Sequence, residues 1–108
     1  MRPVLGELEQ LLLLAVIRAG DDAYGLTVLA EVERATGRSP TLATVHTTLA
    51  RLEAKGFVTS WLGDSTPRRG GRAKRHFAVT PAGKKAVRES LAGIGRLARG
   101  LSVGWEGS

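Results

Sequence analysis

The stretch TPRRGGRAKRHFAVT, residues Thr66 to Thr80, sets five cations (Arg68, Arg69, Arg72, Lys74 and Arg75) around a Gly-Gly pair and contains no acid. It runs directly into an alternating segment, with Phe77 and Val79 on one side and His76 and Ala78 on the other. A disordered basic tail would not end in a strand, and a core strand would not begin with five positive charges. The pattern predicts a cationic loop mounted on one arm of a hairpin. The other arm is FVTSWLG, Phe57 to Gly63, rich in β-branched and aromatic residues, with the loop running from Gly63 to Gly71. Gly70 and Gly71 let that backbone turn freely and come close to a ligand.

Composition bounds what the hairpin can belong to. A chain of 108 residues makes one domain whose own core is only marginally sufficient. Aromatics are 5% of the residues, so the core must be built from Leu, Val and Ala. There is no cysteine, which removes disulfides, thiolate zinc sites and cysteine nucleophiles together and fits a cytoplasmic protein. The run LLLLAVI is too short to span a bilayer and follows acids, so neither a membrane helix nor a signal peptide is expected. The net charge of +6 is unevenly placed: residues 1–66 carry six bases and eight acids, residues 67–108 ten bases and two acids. That asymmetry suggests a polyanion-binding face on an otherwise ordinary domain.

Three helical patterns precede the hairpin. LGELEQLLLLAVIRAG predicts a helix from about Leu5 to Ala19, stopped by Gly20. Its apolar positions cover more than one stripe, so two surfaces must bury it. The second is expected to be another subunit, with Leu5, Leu8 and Leu12 as contacts. DDAYGLTVLAEVERATG predicts a second helix capped by Asp22 and stopped at Gly37, with Leu29 and Val32 on one face. Asp21 and Asp22 lack companions for a catalytic or metal pair, so capping is their expected role.

TLATVHTTLARLEAKG predicts the third helix, capped by Thr41 and ended by Gly56, with an apolar stripe of Leu42, Val45, Leu49 and Leu52. Its opposite side presents Ala43, Thr47, Ala50, Arg51 and Ala54, flanked by Thr44 and His46. A merely solvated face usually carries Lys and Glu. Small residues and threonines suit a helix that enters a DNA major groove and touches base edges. Helix–turn–helix followed by a hairpin with a basic loop makes a winged helix, whose loop lies on phosphates or enters the minor groove. Candidate DNA contacts are therefore Thr41, Ala43, Thr44, His46, Thr47 and Arg51 on the helix. Arg68, Arg69, Arg72, Lys74 and Arg75 are their counterparts on the wing.

AYGLTVLAEVERATG, PTLATVHTTLARLEAKGFV and RRGGRAKRHFAVTPAGKKAV together resemble the PadR family of bacterial transcriptional regulators, from about Leu5 to Val87. The marks are Tyr24-Gly25, Thr44 and Leu49, the RLEAKGFV exit, and a Gly-Gly-Arg wing closing on Thr80-Pro81-Ala82-Gly83. The resemblance adds Tyr24 to the candidate DNA contacts. It implies a homodimeric regulator, expected to be a repressor, binding double-stranded DNA at an inverted-repeat operator. The chain departs from the family at His46-Thr47, where a tyrosine and proline are frequent, and at His76-Phe77, where a tyrosine pair is. The family's base preference therefore does not carry over.

The fold class expected is mainly α with a small β-hairpin: a winged helix–turn–helix over residues 1–80 and a dimerisation helix and tail over residues 81–108. Thr80 and Pro81 open that last helix. Val87, Leu91, Ile94, Ala98, Leu101 and Trp105 then recur at alternating spacings of four and three, a coiled-coil seam. Gly93, Gly95, Gly100 and Gly104 weaken it by about 1 kcal/mol each, so the helix should be firm to about Leu97. Dimer contacts are expected at Val87, Leu91, Ile94, Ala98 and Leu101. Trp105 is expected to pack in that seam, with contact to a small apolar effector of the kind some family members hold as the alternative. No cofactor or metal is expected, because His46 and His76 lack the companions of a zinc site or a Ser-His-Asp arrangement. RRGGRAKR lacks the spacing and ending of a P-loop. The chain is not expected to be an enzyme. The reading from another class is a winged-helix module that binds a protein and keeps its basic loop for solubility.

Overall fold

Leucines on nearly every side make the first helix the element around which the others assemble. In the computed structural model, which describes residues 5–63 and 74–101, α1 spans Glu7–Ala19 and ends at Gly20 with φ of 61°. Leu12, Leu13, Ala15 and Val16 are buried, a span too wide for one stripe, because α1 packs against helices and hairpin together. The second burying surface is thus largely the chain's own. Leu5 and Leu12 are buried in this core, and Leu8 packs half-buried against it. Of the apolar residues of α1, Leu14 and Ile17 stay exposed.

A short 3-10 turn, Gly20–Asp22, leads to α2, Gly25–Thr36. Asp22 does not cap α2. Residues 23 and 24 are drawn out as extended chain along the hairpin, so the helix starts only at Gly25, with Tyr24 at the cap position. The Thr27 hydroxyl accepts the Tyr24 N–H at 3.0 Å and donates to the Asp22 carbonyl, doing locally what the aspartate was expected to do. Val28 and Val32 face the core, Leu29 lies at its margin, and Gly37 closes the helix in the left-handed region at φ of 74°.

Thr41 caps α3 (Leu42–Ala54), its hydroxyl accepting the Thr44 N–H at 3.1 Å. The buried stripe is Val45, Thr48, Leu49 and Leu52, with the Thr48 hydroxyl donating to the Thr44 carbonyl at 2.8 Å. Leu42, expected in that stripe, is 37% exposed, because the first helical residue projects past the core toward Gly25.

Strand β1 (Val58–Leu62) pairs antiparallel with β2 (Arg75–Val79), from Val58 opposite Val79 to Leu62 opposite Arg75. The other edge of β2 is held by residues 23 and 24. Phe77 N–H bonds the Ala23 carbonyl at 2.9 Å, and Tyr24 bridges His76. Phe77 and Val58 point into the core.

Helix α4 (Pro81–Ala98) opens as its sequence implies, with the Thr80 hydroxyl accepting the Gly83 N–H at 3.0 Å and Pro81 in the first turn. Val87 is buried in this chain's core and not on a free seam. Beyond it no residue of α4 is buried, and Leu91, Ile94 and Leu97 are exposed. Between α1 and α2 lies an open apolar groove of about 430 Å³, lined by Leu11, Leu14, Ile17, Val32 and Ala35. Among the described residues no helix is long and apolar enough to cross a membrane.

Candidate nucleic-acid interface

The outer side of α3 is small, polar and unobstructed. Ala43, Thr44, Thr47 and Arg51 are exposed, and neither the Thr47 hydroxyl nor the Arg51 guanidinium bonds a side chain among the described residues. Thr41 and Thr44 are tied together at 2.9 Å, so their first role is to close the helix end. His46 is exposed but folds back: a Cβ on Gly25 would stand 2.7 Å from its Nε2. Glycine at the start of α2 is what lets the imidazole and the Leu42 methyl lie against that backbone.

This contact joins α3 to the hairpin. Beside Gly25, Tyr24 accepts a hydrogen bond from Lys74 Nζ at 3.1 Å, and the ammonium lies 4.2 Å from the ring centroid. Lys74, Tyr24, His46 and the outer α3 residues are therefore brought together. Arg75 is not with them. Successive strand residues face opposite ways, and Arg75 Nη1 bonds the Ser60 hydroxyl at 2.9 Å, which in turn donates to Glu53. Arg68, Arg69, Arg72 and Trp105 lie outside the described residues. The sequence reading missed the bridging role of Gly25, the contact of Tyr24 with His76, and the stacking of Trp61 on that imidazole. Their proximity depends on a strand register that the long intervening loop conceals.

One buried ion pair sets the far end of α3. Glu9, 6% exposed, accepts from Lys55 Nζ at 2.7 Å and from the Gly6 N–H at 2.8 Å. Burial pushes this carboxyl's pKa up. The Lys55 and Gly6 hydrogen bonds, with the charges of Lys55 and Arg51, outweigh it and hold the group below its ordinary 4.5. A lowered folded pKa gives stability that is present above the unfolded value and lost as pH falls through the folded one. Lys55→Met should therefore cost about 2 kcal/mol at neutral pH, since it leaves a buried carboxylate half-partnered. The cost should shrink as pH falls through the lowered folded pKa of Glu9, where the carboxyl is protonated in both proteins. Urea unfolding across a pH series from neutral to acid checks this.

The family described as "Transcriptional regulator PadR-like family" matches residues 13–89, most of the chain, including every candidate contact from Tyr24 to Arg75. The chain belongs to that family. Solved structures share the PadR-like fold at low identity. A putative transcriptional regulator of Thermoplasma acidophilum is 20% identical over 94% of this chain and 92% of its own, with a TM-score of 0.71. A PadR family regulator of Clostridium difficile R20291 is 21% identical over 90% and 96%, at 0.66. Bacillus subtilis PadR, solved in complex with operator DNA, is 18% identical over 79% of this chain and 48% of its own, at 0.64. No curated protein is similar enough in sequence to stand as a relative. These likenesses place the PadR-type winged helix on this chain: a mainly helical body with a two-stranded wing.

Proposed function

We propose that this chain is a sequence-specific DNA-binding regulator of transcription, a repressor that acts in the cytoplasm as a homodimer on an inverted-repeat operator. The observation that carries this reading is the continuity of one surface. The small, nearly uncharged outer side of α3 passes through His46 and Gly25 to Tyr24 and Lys74 at the root of the wing. Helix N-terminal threonines can read base edges while the cations take phosphates. The operator complex of Bacillus subtilis PadR supports the same use of this fold.

Assembly is supported by two apolar surfaces that one copy leaves uncovered. Leu91, Ile94, Leu97 and Leu101 on and beyond α4 are 43%, 54%, 83% and 49% exposed, and the α1–α2 groove is lined by Leu14 and Ile17. A two-fold dimer would seat each α4 on the partner's α1–α2 surface, covering both at once. Leu5, Leu12 and Val87 would then act from beneath, by supporting the helices that meet.

Binding to duplex DNA should weaken steeply with salt. Selection from a random-sequence library should yield an inverted repeat, and the base preference should change in Thr47→Ala and His46→Ala. Each good base contact is worth about 1–3 kcal/mol. His46→Ala should also loosen the contact with Gly25, whereas the Thr47 hydroxyl bonds no side chain among the described residues. Identical selected sites for wild type and both variants would remove these residues from the interface, and salt-independent binding would remove DNA as the partner.

A further inference from the structure

Aromatic side chains near the loop end of the hairpin form a plate that the candidate contacts above only partly include. The Trp61 indole lies nearly parallel to the His76 imidazole, with centroids 5.9 Å apart and 18° between planes. Tyr24 meets the same imidazole edge-on at 5.7 Å and 66°. Trp61 opposes His76 across the hairpin and Tyr24 bridges it on the other edge, so all three share the face turned away from Phe77 and Val58. Gly63 leaves space for the ring, since a Cβ there would stand 2.7 Å from His76 Cδ2 and Nε2. At the Tyr24 end sits the Lys74 ammonium.

Trp61 nonetheless remains 47% exposed. A single exposed apolar side chain needs no explanation. This one is held flat by a stack and stands in a row with a fixed cation. An aromatic plane beside a cation is a pairing with which proteins grip a nucleic-acid strand. The bases of a duplex are stacked inside it, so what such a plate can reach is deoxyribose and phosphate.

Resting on the DNA-binding reading above, we propose that Trp61, His76 and Tyr24 form an aromatic shelf that lies on the sugar–phosphate backbone of the duplex beside the α3 contact. Trp61 covers deoxyribose and Lys74 takes the neighbouring phosphate. His76 is a positioning residue. It touches no DNA, but its ring fixes the angle of the indole on one side and of the tyrosine, hence of Lys74, on the other.

The test uses the full chain and a mixed-sequence duplex several helical turns long. The chain has two tryptophans, so in Trp105→Phe protein the emission reports on Trp61 alone. Adding duplex should protect it from acrylamide quenching. Trp61→Ala should weaken duplex binding roughly five- to tenfold at every salt concentration without altering the slope of log affinity against log salt, because the indole buries apolar area and carries no charge. Lys74→Ala should instead reduce that slope by about one. His76→Ala should lose both affinity and protection, and His76→Phe, which keeps the stack, should recover them. Circular dichroism of the free variants checks that each is folded. Bound duplex that leaves Trp61 as quenchable as before, or Trp61→Ala affinity within about twofold of wild type, overturns the shelf and leaves the DNA-binding reading standing. Failure of the wild type to bind any duplex at low salt overturns both.

Discussion

Leu91→Glu combined with Ile94→Glu should leave the protein a folded monomer that no longer holds an inverted repeat. Both side chains project from the half of α4 that its own core does not cover, 43% and 54% exposed, so a single chain accommodates the glutamates in water. Seated against a partner's apolar surface, the same carboxylates would lose hydration and find no counter-ion. That costs several kcal/mol per charge in a buried setting. Even about 4 kcal/mol in total raises a dissociation constant about a thousandfold, at about 1.4 kcal/mol per tenfold. Each half-site would then be bound by an unlinked monomer, without the gain in effective concentration that a dimer supplies. No residue of the α3 or Tyr24–Lys74 surface is altered. Sedimentation velocity, far-ultraviolet circular dichroism and an electrophoretic shift on the full repeat together decide it. A variant that stays dimeric, or a monomer that grips the full repeat at wild-type affinity, would sink the proposed assembly.

Among the described glycines, Gly83→Ala should be the most destabilising substitution. Gly83 is in the first turn of α4 and is buried against Phe57, in the turn between α3 and β1. A Cβ there would stand 2.2 Å from the Phe57 carbonyl oxygen and 2.8 Å from Val79 Cγ1. The first neighbour is backbone and cannot swing aside. The same carbonyl accepts the Thr80 N–H at 3.0 Å, so moving α4 away breaks the bond that ties the strand exit to the α3–β1 turn. Overpacking of this kind costs about 1–3 kcal/mol, and the lost bond about 1 more. At about 4–8 °C per kcal/mol for a domain of this size, the midpoint should fall by roughly 10–30 °C. Gly95→Ala in the same helix is the control. A Cβ at Gly95 meets nothing within 4 Å, so alanine should stabilise the helix by up to about 1 kcal/mol. Equal melting temperatures for the two variants would contradict the close approach.

The elements themselves were legible from the chain because their signals act within a turn or two. Thr41 and Thr80 each bond the backbone three residues on. Gly20, Gly37 and Gly56 each stop a helix or turn in the left-handed region, where only glycine is comfortable. The spacing of Val45, Leu49 and Leu52 put one side of α3 inward and the threonine side outward. Where the reading went astray, the deciding partner was far along the chain. Asp22 had every local mark of a cap, but the hairpin captured Ala23 and Tyr24 as extended chain, through Phe77 N–H, before a helix could begin there. Leu5, Leu12 and Val87 carried the pattern of an interface, yet a helix apolar on most sides does not reveal which neighbours will cover it. Here α2, α3, α4 and the hairpin take most of α1, leaving Leu14, Ile17 and the far half of α4 uncovered. The meeting of Tyr24, Trp61, Lys74 and His76 needed strand register, which a slip of one residue would invert and which no local signal across so long a loop could set. The caps at Thr41 and Thr80, helix periodicity and the charge asymmetry were therefore determined by the sequence on its own. Which apolar face was buried, and which aromatic rings came together, was decided by packing between distant segments.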